Sequence, residues 1–278
     1  MSRSEFGPEL LIGAPPELAS FRVRLESIDP KILAGVVRLV GIKSAGLPIR
    51  VVLAPESSDL ARATPSWTAG FAQGAESVVV LFPARAPGYP DNSLEDVLRH
   101  EVAHVLVSRA AAGQSVPRWF NEGLAMAAEG AWGFEDQTRV LYELVVKQRT
   151  TLADINRLFL GDRRSQDRAY ALSGAFMRDL LQQYGTEAPG KILEQIGRGV
   201  SFDAAFADGT GLKLSDAESA FWQRQRIWTT WFPIVTSSTV VWLLVTFIAL
   251  LAIRRRRQKD AEMRARFDQE ETEPDELP

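Results

Sequence analysis

The five residues "HEVAH", His100 to His104, decide how this chain is read, and they contain both of its histidines. On a helix, side chains four positions apart lie one above the other on one face, so His100 and His104 can grip a single metal ion. Glu101 falls beside them, within reach of a water at that ion. The logic of the arrangement is specific. Neutral imidazole suits Zn2+, the ion lowers the pKa of its water toward neutrality, and a carboxylate held against that water can take its proton. The plain alternative is two solvated helix histidines. Two histidines in a chain of 278 residues fall four apart by chance only about once in a hundred, before a Glu is required between them.

Working outward, Asn92 or Ser93 caps this helix, and Asp96 stands three residues after Ser93 as in a capping box. Leu94, Val97, Leu98, Val102, Val105 and Leu106 carry it to about Ala112, and Gly113 ends it. A hydrolytic zinc site wants three protein ligands and one open position. The chain has no third histidine and no cysteine, so the third ligand is a carboxylate. Glu122, in "PRWFNEGLA" (Pro117 to Ala125), follows His104 by 18 positions. That leaves room for the helix to end, turn and send a second helix back past the first, starting near Val116-Pro117 or Asn121. Glu129, two turns further on, is the lesser candidate. Taken alone, Glu122 also reads as a first-turn acid complementing a helix dipole.

Before the histidine helix the periodicity is mixed. Residues 1–20 read as a loose leader with Pro15-Pro16. "FRVRLES" (Phe21 to Ser27) alternates apolar and polar and reads as a strand. Asp29-Pro30 opens a helix with apolar positions at Ile32, Leu33, Val36, Val37 and Val40. "IRVVLAP", from Ile49, and "SVVVLFP" (Ser77 to Pro83) read as strands. After "HEVAH" the pattern is helical: "QTRVLYELVVKQR", "RAYALSGAFMRDLLQQYG" stopped by Gly185, then shorter helices through 189–226. No Pro/Gly-rich linker divides 21–226, which predicts one α+β domain, a small N-terminal sheet followed by a mostly helical region.

Composition excludes some partners. A net charge of -3, with no Arg/Lys stripe interleaved with aromatics in the body, argues against nucleic acid. Without cysteine, neither disulfides nor thiolate ligands can be invoked. Arg far outnumbers Lys and Ala is abundant, as in a GC-rich bacterial genome. From Ile227 to Ile253 no residue is charged, and Phe232 to Ile253 is 22 residues, enough for a bilayer of roughly 30 Å at about 1.5 Å per residue. "RRRRQK" follows, and positive charge stays on the cytoplasmic side. The expectation is a transmembrane helix over 227–253, a basic then acidic disordered tail over 254–278, and a body outside the cytoplasm. "MSRSEFGPELLIGAPPELAS" shows no export signal to match that orientation.

"LRHEVAHVL" and "VPRWFNEGLAMAAEG" resemble the gluzincin metallopeptidases, most closely the bacterial peptidase MA-like families, over roughly residues 50–222. The resemblance implies a zincin-type catalytic region in which His100, His104 and Glu122 bind zinc and Glu101 is the general base. "AYALSGAFMRDLLQQYG" is similar to a later Tyr-bearing helix of the zinc aminopeptidases. There the tyrosine donates to the oxyanion of the tetrahedral intermediate, a role that falls by position on Tyr170. Gly174 stands one position further from the tyrosine than in those enzymes, and a Tyr packed at a helix start is the alternative. "GAESVVVLFP" lacks the Gly-x-Met-Glu-Asn segment that captures a substrate amine, so aminopeptidase specificity is not transferred. The strand over Val78 to Phe82 is instead expected to hold an extended substrate by backbone pairing. The whole reads as a membrane-anchored zinc metallopeptidase, an endopeptidase with one Zn2+ per chain, acting on peptide or protein substrates. The alternative is a catalytically inactive zinc-domain scaffold or binding module at the membrane.

Overall fold

The computed structural model describes residues 7–86, 93–129 and 150–235, with 242, 245–257, 259 and 263. Four strands form one sheet: β1 (Leu10–Gly13), β2 (Ile49–Leu53), β3 (Gly70–Gln73) and β4 (Val78–Leu81). Their order is β1-β2-β4-β3. β2 runs parallel to β1 and to β4, whereas β3 is antiparallel to β4, with Gly70 opposite Leu81. Parallel neighbours need a crossover, and between β1 and β2 it is helical: α1 (Ala19–Glu26) and α2 (Pro30–Val40). Along β2, Ile49, Val51 and Leu53 are buried while Arg50 and Val52 are not, the period of two that a strand imposes. Val79 and Leu81 of β4 join the main core. Val80 and Phe82 point the other way, to a small cluster with Ala54 and with Ala61 of α3 (Asp59–Ala63).

α4 (Leu94–Ala110) is the central helix. The Ser93 hydroxyl oxygen accepts the Asp96 backbone N–H at 3.1 Å and donates to the Asp96 carboxylate at 2.8 Å, so Ser93 is the cap. Eleven of its 17 residues are buried, because β3 and β4 cover one side while α2 and α5 (Arg118–Glu129) cover others. Further on come α6 (Leu152–Leu158), α7 (Arg163–Tyr184), α8 (Ala188–Gly197), α9 (Phe202–Thr210) and α10 (Leu214–Val235). Thr151 and Asp154 form a capping box at the start of α6, and Asp162 caps α7. Glycines set one close crossing here. A β-carbon on Gly41 would lie 2.6 Å from the Gly190 Cα, where α2 ends against α8, and Gly41 has φ of 77°, conformation that glycine adopts without strain.

The α+β reading holds, with a small sheet and a mostly helical body, but three expectations do not. "FRVRLES" is helical, in α1. Seven alternating letters also fit a helix that buries only Leu25 and is closed by an Arg22–Glu26 pair one turn apart at 2.8 Å. Residues 10–13, within the supposed leader, are the edge strand β1. The largest correction concerns the membrane. Among the described residues no helix is long and apolar enough to cross one. The start of the uncharged run, 227–235, does not begin a helix of its own; it continues α10, whose earlier turns carry Asp216, Glu218, Arg224 and Arg226 and bury Ala217, Phe221 and Trp222. The single-pass location and the orientation inferred from it fall with that helix. Residues 236–241 and 243–244 lie outside the described residues, as do Asn92 and "QTRVLYELVVKQR". Met1–Gln223 forms one compact unit and Arg224–Pro278 a second.

α5 crosses α7 at Gly123, where an added β-carbon would meet the Ser173 carbonyl oxygen at 2.6 Å and Met177 Cβ at 3.0 Å. Gly123→Ala is therefore expected to destabilise the fold by about 1–3 kcal/mol, the usual cost of overpacking. It is measured as a lower urea midpoint with an unchanged slope. Equal midpoints would mean that the two helices separate without cost.

Candidate metal centre

The two histidines project from the middle of α4, one turn apart, with ring centroids 4.8 Å from each other. The chain leaves α4 through Ala112 and Gly113, both at positive φ, and returns as α5. Trp119 fixes the start of α5. Its indole is buried against Phe120, Phe176 and Phe202, edge to face, and its backbone N–H donates to Asn156 Oδ1 at 2.9 Å. Truncating an aromatic so placed costs about 3–5 kcal/mol in comparable cores. Glu122 lies one turn beyond and faces α4.

The structure brings His100, His104 and Glu122 together, their ligand atoms all within 4.8 Å of one another. Glu122 Oε2 is 3.3 Å from His100 Nε2 and 3.4 Å from His104 Nε2. A charge-assisted hydrogen bond would be shorter, about 2.7–2.9 Å. Two ligands on a tetrahedral ion, each at about 2.0–2.1 Å, stand about 3.3 Å apart. The spacing therefore suits a cation shared by the three atoms better than direct pairing among them. Glu129, the lesser candidate for third ligand, ends α5 with its side chain outside the described set.

Electrostatics point the same way. Burial works against a charged His104, yet the Glu122 carboxylate beside it outweighs that and raises the imidazole above its ordinary value. Burial alone would push the Glu122 carboxyl up, but the imidazoles, His104 foremost, hold it far below the usual carboxylate range. Three lone-pair atoms face one another in a site where Glu122 is 7% exposed and His100 4%. Positive charge must lie among them, as protons or as a divalent cation. Two imidazole nitrogens and one carboxylate oxygen are a donor set that such a cation accepts.

Glu101 is buried too, on the side of α4 that meets the sheet. A β-carbon on Gly70 would lie 2.9 Å from Val97 Cγ1 and 3.1 Å from Glu101 Cγ, so glycine lets β3 pass this close without displacing a side chain. The Glu101 charge acts on both His104 and Tyr170. Tyr170, on α7, lies with its ring 6.3 Å from the His100 ring, edge to face, and its burial raises the hydroxyl pKa well above normal. The strand over Val78 to Phe82 cannot hold a substrate by its edges, because β4 is paired with β2 on one side and with β3 on the other. Among the described residues, the strand with an unpaired edge beside Glu101 is β3, at the end of the sheet.

One functional contact escaped the sequence reading. His104 Nδ1 donates to Asn121 Oδ1 at 2.9 Å, which turns Nε2 toward Glu122. Such outer partners set the tautomer and orientation of a ligating imidazole. The available signal was an amide directly before Glu122, but adjacent helix positions point about 100° apart, so only the packed structure shows both reaching one site.

No curated protein matches the chain. Among protein families, residues 33–227 match the Peptidase MA superfamily. The matched region reaches from α2 through α10, further toward the N-terminus than the motif resemblance did, and includes all of the residues that meet at the candidate centre. By this match over most of its length, the chain belongs to the peptidase MA superfamily.

Proposed function

We propose that the protein is a zinc-dependent endopeptidase whose metal is held by His100, His104 and Glu122, with Glu101 as general base. The observation that carries this is the convergence of two Nε2 atoms and Oε2 of Glu122, with a further buried carboxylate, Glu101, one residue along from the first ligand. A site built only to stabilise the fold has no use for that extra acid. When bound, Zn2+ supplies Lewis acidity that activates water and polarises a carbonyl. The Glu101 carboxylate accepts a proton from the attacking water and returns it to the leaving amine nitrogen. The Tyr170 hydroxyl donates a hydrogen bond to the carbonyl oxygen as that oxygen gains charge. Its raised pKa keeps it protonated, and hence a donor, well into alkaline solution. An extended peptide laid along the open edge of β3 would place its backbone beside Glu101. No acidic side chain on β4 is available to capture a free amine, which favours cleavage within a chain.

Purified protein is expected to carry about one zinc per chain and to cleave members of a peptide library. Glu101→Gln should keep the metal and lose activity by at least about a hundredfold, whereas His104→Ala should lose the metal. Equal cleavage by Glu101→Gln and wild type would end the assignment. Metal-loaded wild type that cleaves nothing would favour a scaffold. Tyr170→Phe should lower kcat by roughly 10²-fold, as for loss of one oxyanion donor, at unchanged zinc content. Because the hydroxyl stays protonated, the alkaline limb of the wild-type pH profile should persist in that variant. A limb that vanishes with the phenol would show that Tyr170 titrates in the working range.

A further inference from the structure

Arg118, in the first turn of α5, has no role in the chemistry above, yet it touches the candidate centre directly. Its Nε donates to Glu122 Oε1 at 3.3 Å, while Oε2 of the same carboxylate faces His100 and His104 at 3.3 and 3.4 Å. The two oxygens are thus divided between a protein cation and the metal position. The guanidinium is itself held, with its carbon 4.5 Å from the centre of the Phe159 ring. Phe159 meets Tyr170 edge-on at 5.2 Å, and Tyr170 meets His100 at 6.3 Å. The contacts close into a circuit: Glu122, Arg118, Phe159, Tyr170, His100 and back to Glu122.

The Arg118 side chain is 47% exposed, and an ion pair that open contributes only about 0–1 kcal/mol to stability. Its value lies in orientation. A carboxylate free to turn about its last bond can offer either oxygen, or both, to a metal. A planar guanidinium lying over an aromatic ring and hydrogen-bonded, though at a long 3.3 Å, to one oxygen limits that freedom, which a flexible ammonium does less well.

We propose that Arg118 is a positioning residue that occupies Oε1 of Glu122, so that the carboxylate presents Oε2 alone to the metal. This rests on the metal-site reading above. The test compares wild type with Arg118→Met, Arg118→Lys and Phe159→Leu. Zinc affinity is measured by competition with a chromophoric chelator, coordination by the visible spectrum of the cobalt-substituted protein, and folding by circular dichroism. Arg118→Met should bind zinc at least about tenfold more weakly, as for other outer-shell partners. Its cobalt spectrum should change as the second carboxylate oxygen becomes available. Arg118→Lys should regain part of the affinity but keep the altered spectrum, and Phe159→Leu should shift both in the same direction by less. If Arg118→Met does not fold, Arg118→Lys decides by its spectrum. Wild-type affinity and spectrum in the folded variant overturn the positioning role while leaving the metal site intact. A wild-type protein that takes up neither zinc nor cobalt overturns both.

Discussion

Three lone-pair atoms, one carboxylate oxygen and two imidazole nitrogens, are pressed together where little water reaches them. They repel unless positive charge lies among them. That constraint explains the raised His104, the lowered Glu122 and spacings near 3.3 Å, too long for strong direct pairing. A divalent cation, or protons on the imidazoles, can reconcile the three; the Glu122 carboxylate already raises His104 against the cost of its burial.

The rest of the fold serves to hold that convergence. α4 is buried on most sides, so the histidines cannot turn away from the site without opening the core. Trp119 and its aromatic neighbours set where α5 begins, which fixes the height of Glu122 against α4. Gly123 lets α5 seat directly on α7, the helix that carries Tyr170, and Gly70 lets β3 pass against Glu101. Around the candidate centre, Asn121 orients His104 and Arg118 touches Glu122.

Much of this was legible from local pattern. Four-residue spacing within a helix is a short-range property, so the pairing of His100 with His104 needed no tertiary information. Elimination among a few residue types pointed to a carboxylate as third ligand, and the capped, apolar-striped α2 and α4 follow from rules that act within one or two turns. Pattern failed where short-range letters fit two answers. "FRVRLES" fits helix or strand, and its neighbours decided. The uncharged run from Ile227 has the length of a membrane span, yet the helix it joins starts at Leu214 with charged turns packed on the core. A hydropathy window does not register where a helix begins.

Residue type and short periodicity carry the histidine pair, the acid between them, the expectation of a carboxylate as their third partner and most of the helices they lie on. Only the tertiary structure decided that Glu122 meets both imidazoles, that Asn121 and Arg118 belong to the site, that Tyr170 stands beside His100, and that β3 rather than β4 offers a free edge. Each of these sets groups from separate elements within a few ångströms. Such distances follow from how helices and strands pack, through Trp119, Gly123 and Gly70, and not from the order of residues along the chain.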